Sequence, residues 1–206
     1  MDLPPGCGHK ISMTDIRLHK KQLRAEALAR RDALDPAYRI EAAMRLADEN
    51  ALLAFDPGTV IAGFLPIRSE LDIRPLMMAL AARGARLCVP AMLDKTTIEF
   101  RALVRGAPLV DNGFGTVAPG PEAEVLVPDV ILMPLAAFDR HGTRIGYGAG
   151  YYDRAVEKLG AVGRAPRLVA MAFDCQEVER APAEPHDIPL PAVWTESGMR
   201  LLPDPG

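Results

Sequence analysis

The sequence predicts an α/β protein in which helices cover both faces of a largely parallel sheet. Two observations carry this prediction. Short, almost wholly apolar runs recur along the chain, as expected for strands that are buried on both faces. Longer segments stand between them, and in these segments apolar residues return every three or four positions, the spacing of an amphipathic helix. The 206 residues contain no internal repeat and no long linker, so one domain is expected.

The chain is expected to begin with two helices. Residues 14–31 carry an apolar stripe between basic side chains. Asp35 and Pro36 then supply an N-cap and a proline at the first position of a second helix. Residues 1–13, which contain several prolines and glycines, are predicted to form a disordered tail, and residues 14–206 a single α/β catalytic domain.

Strands and helices alternate after this point. Buried strands are predicted at residues 60–65, 86–89, 130–133 and 168–173, an alternating strand at 96–104 and an edge strand at 193–195. Helices are predicted from an Asp72 cap to Arg83 and over residues 151–159. Residues 106–121 are rich in glycine and proline and are predicted to form a long loop with strand fragments.

Composition and charge exclude several classes of function. The net charge of -3, with scattered basic residues, argues against a nucleic-acid partner. No apolar run is long enough to cross a membrane, and the first residues lack the apolar core of a signal peptide. Cys7, Cys88 and Cys175 form no metal spacing and no even-numbered framework, as is typical of the reducing cytosol. A cytoplasmic protein without a membrane partner is therefore expected.

The most informative segment runs from Arg144 to Arg154. Gly146, Gly148 and Gly150 stand at alternate positions, where glycine permits positive φ and leaves no Cβ between backbone amides and a ligand. The helix predicted just after them would direct its N-terminal amides and the positive end of its dipole to the same place. The segment indicates a phosphate cradle made of backbone, although a tight strand-to-helix turn without a ligand explains the same pattern.

Basic and acidic side chains elsewhere could act beside this turn. Lys20 and Arg24 are four residues apart, so they share a helix face and would either meet a polyphosphate or form a solvated basic face. Glu70 follows the first predicted strand, at the end where open α/β sheets bind ligands. Its carboxylate would either hold the amino groups of a heterocycle or pair with Arg68.

Two aspartates are candidate magnesium ligands, because Mg²⁺ commonly takes one or two carboxylates together with substrate phosphates. Asp153 lies one helical turn from the glycines, where a cation bridging phosphates would be found. Alternatively, its negative charge would stabilise the N-terminus of the helix without binding a metal. Asp187 precedes an Ile-Pro pair and is equally suited to forming a turn.

Together these segments resemble the 5-formyltetrahydrofolate cyclo-ligases, also called methenyltetrahydrofolate synthetases. The most specific stretch is Gly-Tyr-Gly-Ala-Gly-Tyr-Tyr-Asp-Arg at residues 146–154. One departure is Ala149, where many bacterial relatives have glycine. The resemblance extends from about residue 20 to residue 195. Its other landmarks, in the family's order, are Lys20, Leu23 and Arg24, Phe64 and Leu65, Glu70, Leu71 and Asp72, and residues 134–145, 172–176 and 187–190.

The resemblance implies a three-layer α/β/α sandwich, similar to sugar-phosphate isomerase and CoA-transferase-like folds. It also implies an activity: the ATP-dependent cyclisation of 5-formyltetrahydrofolate to 5,10-methenyltetrahydrofolate, with release of ADP and phosphate. In this reaction the formyl oxygen would be phosphorylated and the folate N10 would then attack the activated carbon. ATP is implied as co-substrate and Mg²⁺ as metal, and a monomer is expected.

By the same resemblance, Lys20, Arg144 and Tyr151 are the catalytic candidates, and Asp153 and Asp187 the metal ligands. The folate-binding candidates are Leu65, Glu70, Tyr147, Gly148, Ala149, Gly150 and Tyr151. The nucleotide-binding candidates are Lys20, Lys21, Gln22, Leu23, Arg24, Arg144, Ile145, Gly146, Tyr147, Gly148, Ala149, Gly150, Tyr151 and Tyr152.

Two other functions remain open from the residues. A sugar-phosphate isomerase or acyl-transfer enzyme of the same architecture would use the glycine turn for phosphate. It would leave Lys20, Arg24 and Asp187 without a role. A non-catalytic folate- or nucleotide-binding protein would keep Glu70 and the cradle but would not turn over a substrate.

Overall fold

The computed structural model describes residues 13–113, 115–184 and 187–203. The predicted tail and Cys7 lie outside the described residues, except that Met13 begins the first helix. Four α-helices are described, and the N-cap predicted for the second is present, since the Asp35 carboxylate accepts from the Ala37 amide at 2.7 Å. The helices are α1 (Met13–Asp32), α2 (Pro36–Asp48), α3 (Arg74–Ala82) and α4 (Tyr151–Ala161).

The described strands form three sheets. The largest has seven strands in the order β12-β11-β9-β6-β1-β2-β3. Its five inner strands run parallel, and β3 and β12 pair antiparallel at the two edges. The strands are β1 (Val60–Ala62), β2 (Arg86–Met92), β3 (Ile98–Ala102), β4 (Leu109–Gly113), β5 (Thr116–Pro119), β6 (Val130–Pro134), β7 (Ala137–Asp139), β8 (Arg144–Ile145), β9 (Arg167–Met171), β10 (Glu177–Val178), β11 (Ala192–Thr195) and β12 (Gly198–Leu201).

Successive residues of the inner strands face opposite layers of the protein. Ile61 and Leu132 pack with Leu46 of α2 and Leu76 of α3. Their neighbours along the strands, such as Ile131, pack on the other face, which α4 covers. Burying each such side chain contributes about 1.5–3 kcal/mol, so both layers stabilise the sheet. The predicted three-layer α/β/α arrangement with a largely parallel sheet is confirmed.

Helix α1 packs against a second, three-stranded sheet rather than against the main one. This sheet has the order β10-β7-β8, and its buried residues Ala137 and Ile145 pack with Ala27 of α1. Arg30 adds a hydrogen bond from its Nε to the Cys175 carbonyl at 2.7 Å. Because β8 leads directly into the glycine turn, this packing places α1 beside the turn.

The structure corrects four local predictions. The strand predicted at 193–195 is not an edge strand, because the chain turns at Gly198 and pairs β12 outside β11. The first strand ends at Ala62, before the loop that carries Glu70. Helix α3 begins at Arg74 with Ile73 as its N-cap, and Asp72 instead accepts from the Arg74 amide at 3.0 Å.

The fourth correction concerns the predicted loop at 106–121. It contains a complete antiparallel hairpin, β4–β5, with an irregular register between Asp111 and Gly113. The hairpin is tied to β2 by the Asn112 side chain, whose Oδ1 accepts from the Met92 amide at 2.7 Å. No helix in the described ranges has the length and apolar character needed to span a membrane.

Candidate active site

A cleft of about 800 Å³ opens at the carboxyl ends of β1, β2 and β6. The chain passes from β1 to β2 on one side and returns to β6 on the other, so the cleft lies at the switch point of the sheet, where α/β folds bind ligands. Helix α1, the loop after β1, the β4–β5 hairpin and the glycine turn complete its walls. The polar side chains in the lining are Arg24, Arg31, Arg68, Glu70, Asn112, Thr116, Tyr147, Tyr151 and Tyr152.

The glycine turn joins β8 to α4 as the sequence predicts. Gly148 has φ +104° and Gly150 has φ +66°, both in the region that side-chain-bearing residues rarely adopt. Gly150 is also the N-cap of α4, so the N-terminus of the helix is capped by a residue without a side chain. The amides of its first turn therefore face the cleft wall with the positive end of the helix dipole, a site suited to phosphate.

Replacing Gly148 by valine is expected to weaken nucleotide binding by at least about 10-fold without unfolding the protein, because a branched side chain at φ +104° forces the turn to rearrange. Titration calorimetry with ATP measures this loss. The matched control is Gly160→Ala, since Gly160 is helical and a Cβ there meets nothing within 4 Å. That variant should bind ATP normally and gain about 0.5–1 kcal/mol of stability. Normal ATP binding by Gly148→Val would show that the turn is merely structural.

Lys20 and Arg24 are not a solvated face. Lys20 is 8% exposed and donates to Glu184 at 2.9 Å and to Asp187. Arg24 donates from its Nε to the Gly146 carbonyl at 2.7 Å, and burial lowers the pKa of its guanidinium. Helix α1 thus places Arg24 in the lining of the cleft and Lys20, outside that lining, against Glu184 and Asp187.

The other residues of the predicted nucleotide set on α1 have different environments. Lys21 and Gln22 are exposed, and Gln22 bonds to Glu26 one turn along the same helix at 2.8 Å. Leu23 packs against the small buried cluster that contains Ile145. Leu23 and Ile145 therefore hold α1 against β8, and their side chains do not contact the cleft space.

Arg144 lies under the cradle and pairs with Asp153 of α4. It is 6% exposed, and within the described part of the chain its buried Nε has no hydrogen-bond partner. A buried guanidinium nitrogen without an acceptor is costly, so this atom is available to an anionic group brought in by a ligand.

Asp153 and Asp187, the predicted metal ligands, come together in space. Asp153 accepts from the amide of Ile188, the residue next to Asp187, at 3.4 Å. Each carboxylate is paired with a cation, Asp153 with Arg144 and Asp187 with Lys20. Two neighbouring carboxylates suit Mg²⁺, which takes its remaining ligands from water and phosphate. Across the described residues, no group of three or more His, Cys, Asp or Glu side chains is placed to hold a metal.

Glu70 lies on the wall facing the cradle, in the loop that follows β1. Its backbone closes a turn with Ile67 at 3.1 Å, and its Oε2 accepts from the Ile67 amide at 2.8 Å. The turn passes through Arg68 at φ +52°, an uncommon value for a residue with a side chain. Among the described ion pairs there is none between Glu70 and Arg68; one carboxylate oxygen holds the loop, and the carboxyl lies near the Tyr147 hydroxyl.

Burial raises the pKa of Glu70. The nearby Tyr147 hydroxyl, the bond from the Ile67 amide and the charges of Arg31 and Arg68 oppose this effect. Tyr147 is 39% exposed as a whole, but its hydroxyl is buried, and this burial raises the pKa of the phenol. Leu65, the other predicted folate contact, lines the same wall.

Tyr151 and Tyr152 begin α4 at the edge of the cleft. The Tyr151 ring lies beneath the Arg154 guanidinium, 5.6 Å from its centroid, and its hydroxyl reaches the Asp94 carbonyl at 3.5 Å. Tyr152 packs in the core beneath the cradle, where burial raises the pKa of its phenol. Tyr151 thus offers an aromatic face to a ligand, whereas Tyr152 is mainly a core residue.

Sequence reasoning missed several residues of the cleft. Arg31 lies on the same face of α1 as Arg24, seven residues away, and this spacing could have identified it. Phe64, a landmark of the resemblance that was given no site role, and the hairpin residue Asn112 also line the cleft, and no local pattern marks Asn112.

The fold and the cleft define a class of protein: an α/β enzyme with a glycine turn at a helix N-terminus and several cationic side chains at the switch point of a parallel sheet. Comparisons with known proteins identify the family. Residues 17–196 match the model of the 5-formyltetrahydrofolate cyclo-ligase family, and the chain belongs to that family.

Several relatives cover most of the chain. It is 34% identical over 177 residues to the 5-formyltetrahydrofolate cyclo-ligase of Escherichia coli (strain K12). The matched region covers 82% of this chain and 95% of that protein. The cyclo-ligase of Mycolicibacterium smegmatis is 34% identical over 184 residues, 85% and 93% of the two chains. Among solved structures, the 5,10-methenyltetrahydrofolate synthetase of Aquifex aeolicus superposes with a TM-score of 0.74 at 30% identity, covering 90% of this chain and 93% of that one. The synthetase of Mycoplasma pneumoniae shares the fold, with a TM-score of 0.67 at 24% identity over 84% and 96% of the chains.

Proposed function

We propose that this cleft catalyses the ATP-dependent closure of 5-formyltetrahydrofolate to 5,10-methenyltetrahydrofolate, with release of ADP and phosphate. One observation carries the proposal. The lining of the cleft combines Arg24 and residues of the glycine turn, beneath which Arg144 is buried, with a buried carboxylate, Glu70, from the loop after β1. A nucleotide and a heterocycle with amino groups can therefore lie side by side, and the names of the relatives agree with this pair of substrates.

The chemistry follows from the weakness of the formamide as an electrophile. Its oxygen is a poor leaving group until it attacks the γ-phosphorus of ATP, forms an O–P bond and releases ADP. The folate N10 then forms a bond to the activated carbon and loses its proton, and the C–O bond breaks to release phosphate. Both steps depend on positioning and on neutralised phosphate charge more than on a covalent group of the protein.

The residues of the cleft divide these tasks. Lys20, Arg24 and Arg144 offset the charge that develops on the transferred phosphoryl group. The amides at the start of α4 hold the adjacent phosphate oxygens. Glu70 accepts from the amino groups of the pterin, and Tyr151 lies against one of the rings. N10 is itself the nucleophile, so the reaction needs no strong general base.

Asp153 and Asp187 would hold Mg²⁺, which when bound neutralises and orients the phosphates of ATP. In the described structure these carboxylates pair with Arg144 and Lys20. With Mg²⁺ on these carboxylates, Arg144 and Lys20 would be able to contact phosphate oxygens instead. Each proposed metal ligand therefore has a cationic partner when no metal is bound.

The proposed reaction is tested with the purified chain, 5-formyltetrahydrofolate, ATP and Mg²⁺, by following the near-ultraviolet absorbance of the methenyl product. Absorbance that grows only when all three additions are present supports the proposal. Binding of both substrates without any product would instead indicate a non-catalytic binding protein, and turnover of a sugar phosphate would indicate the isomerase alternative.

Replacing Asp153 by asparagine is expected to lower kcat by at least about 100-fold and to raise the Mg²⁺ concentration needed for half-maximal rate, because one metal ligand and the Arg144 pair are lost together. Rate against Mg²⁺ concentration is the measurement. Glu157→Gln, an exposed change one turn along α4, is the control and should leave the curve unchanged. An Asp153→Asn enzyme with the same curve as the control would refute the metal assignment.

The location and assembly of the protein are also proposals. The sparse, odd set of cysteines favours a reducing compartment, and we place the enzyme in the cytoplasm. We also propose that the enzyme acts as a monomer.

A further inference from the structure

Arg31 is a buried cation in the wall of the cleft to which the reaction above gives no role. It lies near the end of α1 and is 2% exposed. Its Nη1 donates to the Tyr147 hydroxyl at 2.6 Å and its Nε to the Ser69 hydroxyl at 3.0 Å. A buried guanidinium is costly unless its donors are satisfied; here two neutral hydroxyls accept from it, and the Asp32 carboxylate lies 3.9 Å from its Nε.

These bonds join three separate parts of the cleft. Tyr147 belongs to the glycine turn, and Ser69 directly precedes Glu70 in the loop after β1. Ser69 in turn donates to Asp32, the residue after Arg31, so the serine hydroxyl is held from both sides. The guanidinium also lies 5.9 Å from the centroid of the Tyr147 ring, which limits the positions open to that ring.

Arg31 affects the Glu70 carboxyl in two ways, directly by its charge and indirectly by holding Tyr147. The charge of Arg31 and the polar Tyr147 hydroxyl nearby both lower the pKa of the Glu70 carboxyl against the effect of burial, while that hydroxyl makes its hydrogen bond to the Leu135 carbonyl at 3.4 Å. The Tyr147 hydroxyl keeps its place because Arg31 donates to it. The remaining groups that face Glu70 are Arg68 from its own loop and the Tyr152 phenol from α4.

We propose that Arg31 is a positioning residue for the folate half of the reaction, tying Tyr147 of the turn to the loop that carries Glu70. This inference rests on the proposed function, because it assumes that Glu70 accepts from the heterocycle. Arg31 acts through its two hydroxyl partners and the carboxylate and need not touch the substrate. The nucleotide half depends on it less, because Arg24 anchors the turn independently at the Gly146 carbonyl.

The proposal predicts a selective defect in Arg31→Gln. The Kd for 5-formyltetrahydrofolate should rise about 30- to 100-fold, because a charge-assisted bond and the orientation of Glu70 are lost. The Kd for ATP should change by less than about 3-fold. The acid limb of kcat/KM for the folate should move to higher pH, because without the Arg31 charge Glu70 takes up a proton more readily.

Two further variants keep the test decisive if Arg31→Gln fails to fold. Arg31→Lys retains the charge but cannot reach both hydroxyls, so it should keep the position of the acid limb and lose part of the folate affinity. Ser69→Ala removes one anchor and should weaken folate binding by about 5- to 10-fold with ATP binding unchanged. Thermal melting of each variant reports folding separately.

Calorimetric binding of each substrate to the unaltered protein separates this inference from the proposed function. If the unaltered protein binds the folate but does not turn it over, the proposed function fails and the Arg31 inference is still tested by affinity. Equal losses of folate and ATP affinity, or a folded Arg31→Gln protein with normal folate affinity and an unmoved acid limb, would overturn the inference.

Discussion

Replacing Glu70 by glutamine is expected to lower kcat/KM for 5-formyltetrahydrofolate by about 1000-fold while leaving the affinity for ATP within about 3-fold. The carboxylate offers acceptors only, and one of its oxygens is already held by the Ile67 amide at 2.8 Å. Glutamine can keep that bond through its carbonyl, but it then presents an NH₂ group to the donors of the pterin. Steady-state kinetics with each substrate varied in turn measure the effect.

The same variant should be at least as stable as the unaltered protein at neutral pH. Burial raises the folded-state pKa of Glu70, so the contribution of this group to stability is complete at low pH and is lost as the pH rises through that pKa. The Glu70→Gln variant has no carboxyl to ionise at this position, so it does not lose this stability as the pH rises. The difference in Tm should therefore favour the variant at neutral pH and disappear in acid.

Glu122→Gln is the control for both effects, because Glu122 is exposed and lies outside the cleft lining. It should alter neither the kinetics nor the pH dependence of Tm. A Glu70→Gln enzyme with the KM and kcat of this control would contradict the assignment of Glu70 to the folate.

Replacing Lys20 by alanine is expected to raise the KM for ATP by about 100-fold and to lower kcat, because a buried cation beside the cradle is lost. A second effect is specific to the structure. Lys20 lies between Glu184 and Asp187, so its removal takes one positive charge away from these carboxylates, while Arg17 stays 3.9 Å from Glu184. The variant should therefore bind Mn²⁺, a spectroscopic substitute for Mg²⁺, more tightly than the unaltered protein when no nucleotide is present.

Lys21→Ala is the matched control, because Lys21 is the adjacent residue but is exposed. Its KM for ATP should stay within about 2-fold of normal, because a solvated lysine contributes little. ATP kinetics measure the first effect, and the electron paramagnetic resonance signal of free Mn²⁺ measures the second. Identical behaviour of the two variants would exclude Lys20 from the nucleotide site.

The parts of the fold with strong local patterns could be predicted from sequence. The apolar residues of a long amphipathic helix such as α1 recur with the helical period, and a buried strand such as β6 is a short continuous apolar run, so both elements can be recognised from sequence. The small sheet β10-β7-β8 was not predicted, because two- and three-residue strands are too short to show a period. The edge strand β12 was missed for a related reason: its only local sign is Gly198, and four residues give little alternation.

The site shows the same division between local and long-range information. The glycine turn was predictable because the residues that permit its positive φ angles, the glycines, lie close together in the sequence. Lys20 and Lys21 were both predicted to contact the nucleotide, because adjacent basic residues look alike in sequence, but only Lys20 lies against Glu184 and Asp187 in the fold. Arg31 was missed because its partners, Tyr147 and Ser69, are distant in sequence and neither position carries a motif for binding arginine.

The central claim is that ATP activates the formyl oxygen before the ring closes, and the fate of that oxygen tests it most directly. The purified enzyme is given 5-formyltetrahydrofolate that carries a heavy oxygen isotope in the formyl group, with ATP and Mg²⁺, and the released phosphate is examined by mass spectrometry. Recovery of the label in phosphate, one atom for each methenyl product, is the predicted result, because the formyl oxygen leaves bonded to phosphorus. Formation of the methenyl product with unlabelled phosphate would contradict phosphorylation of the formyl oxygen.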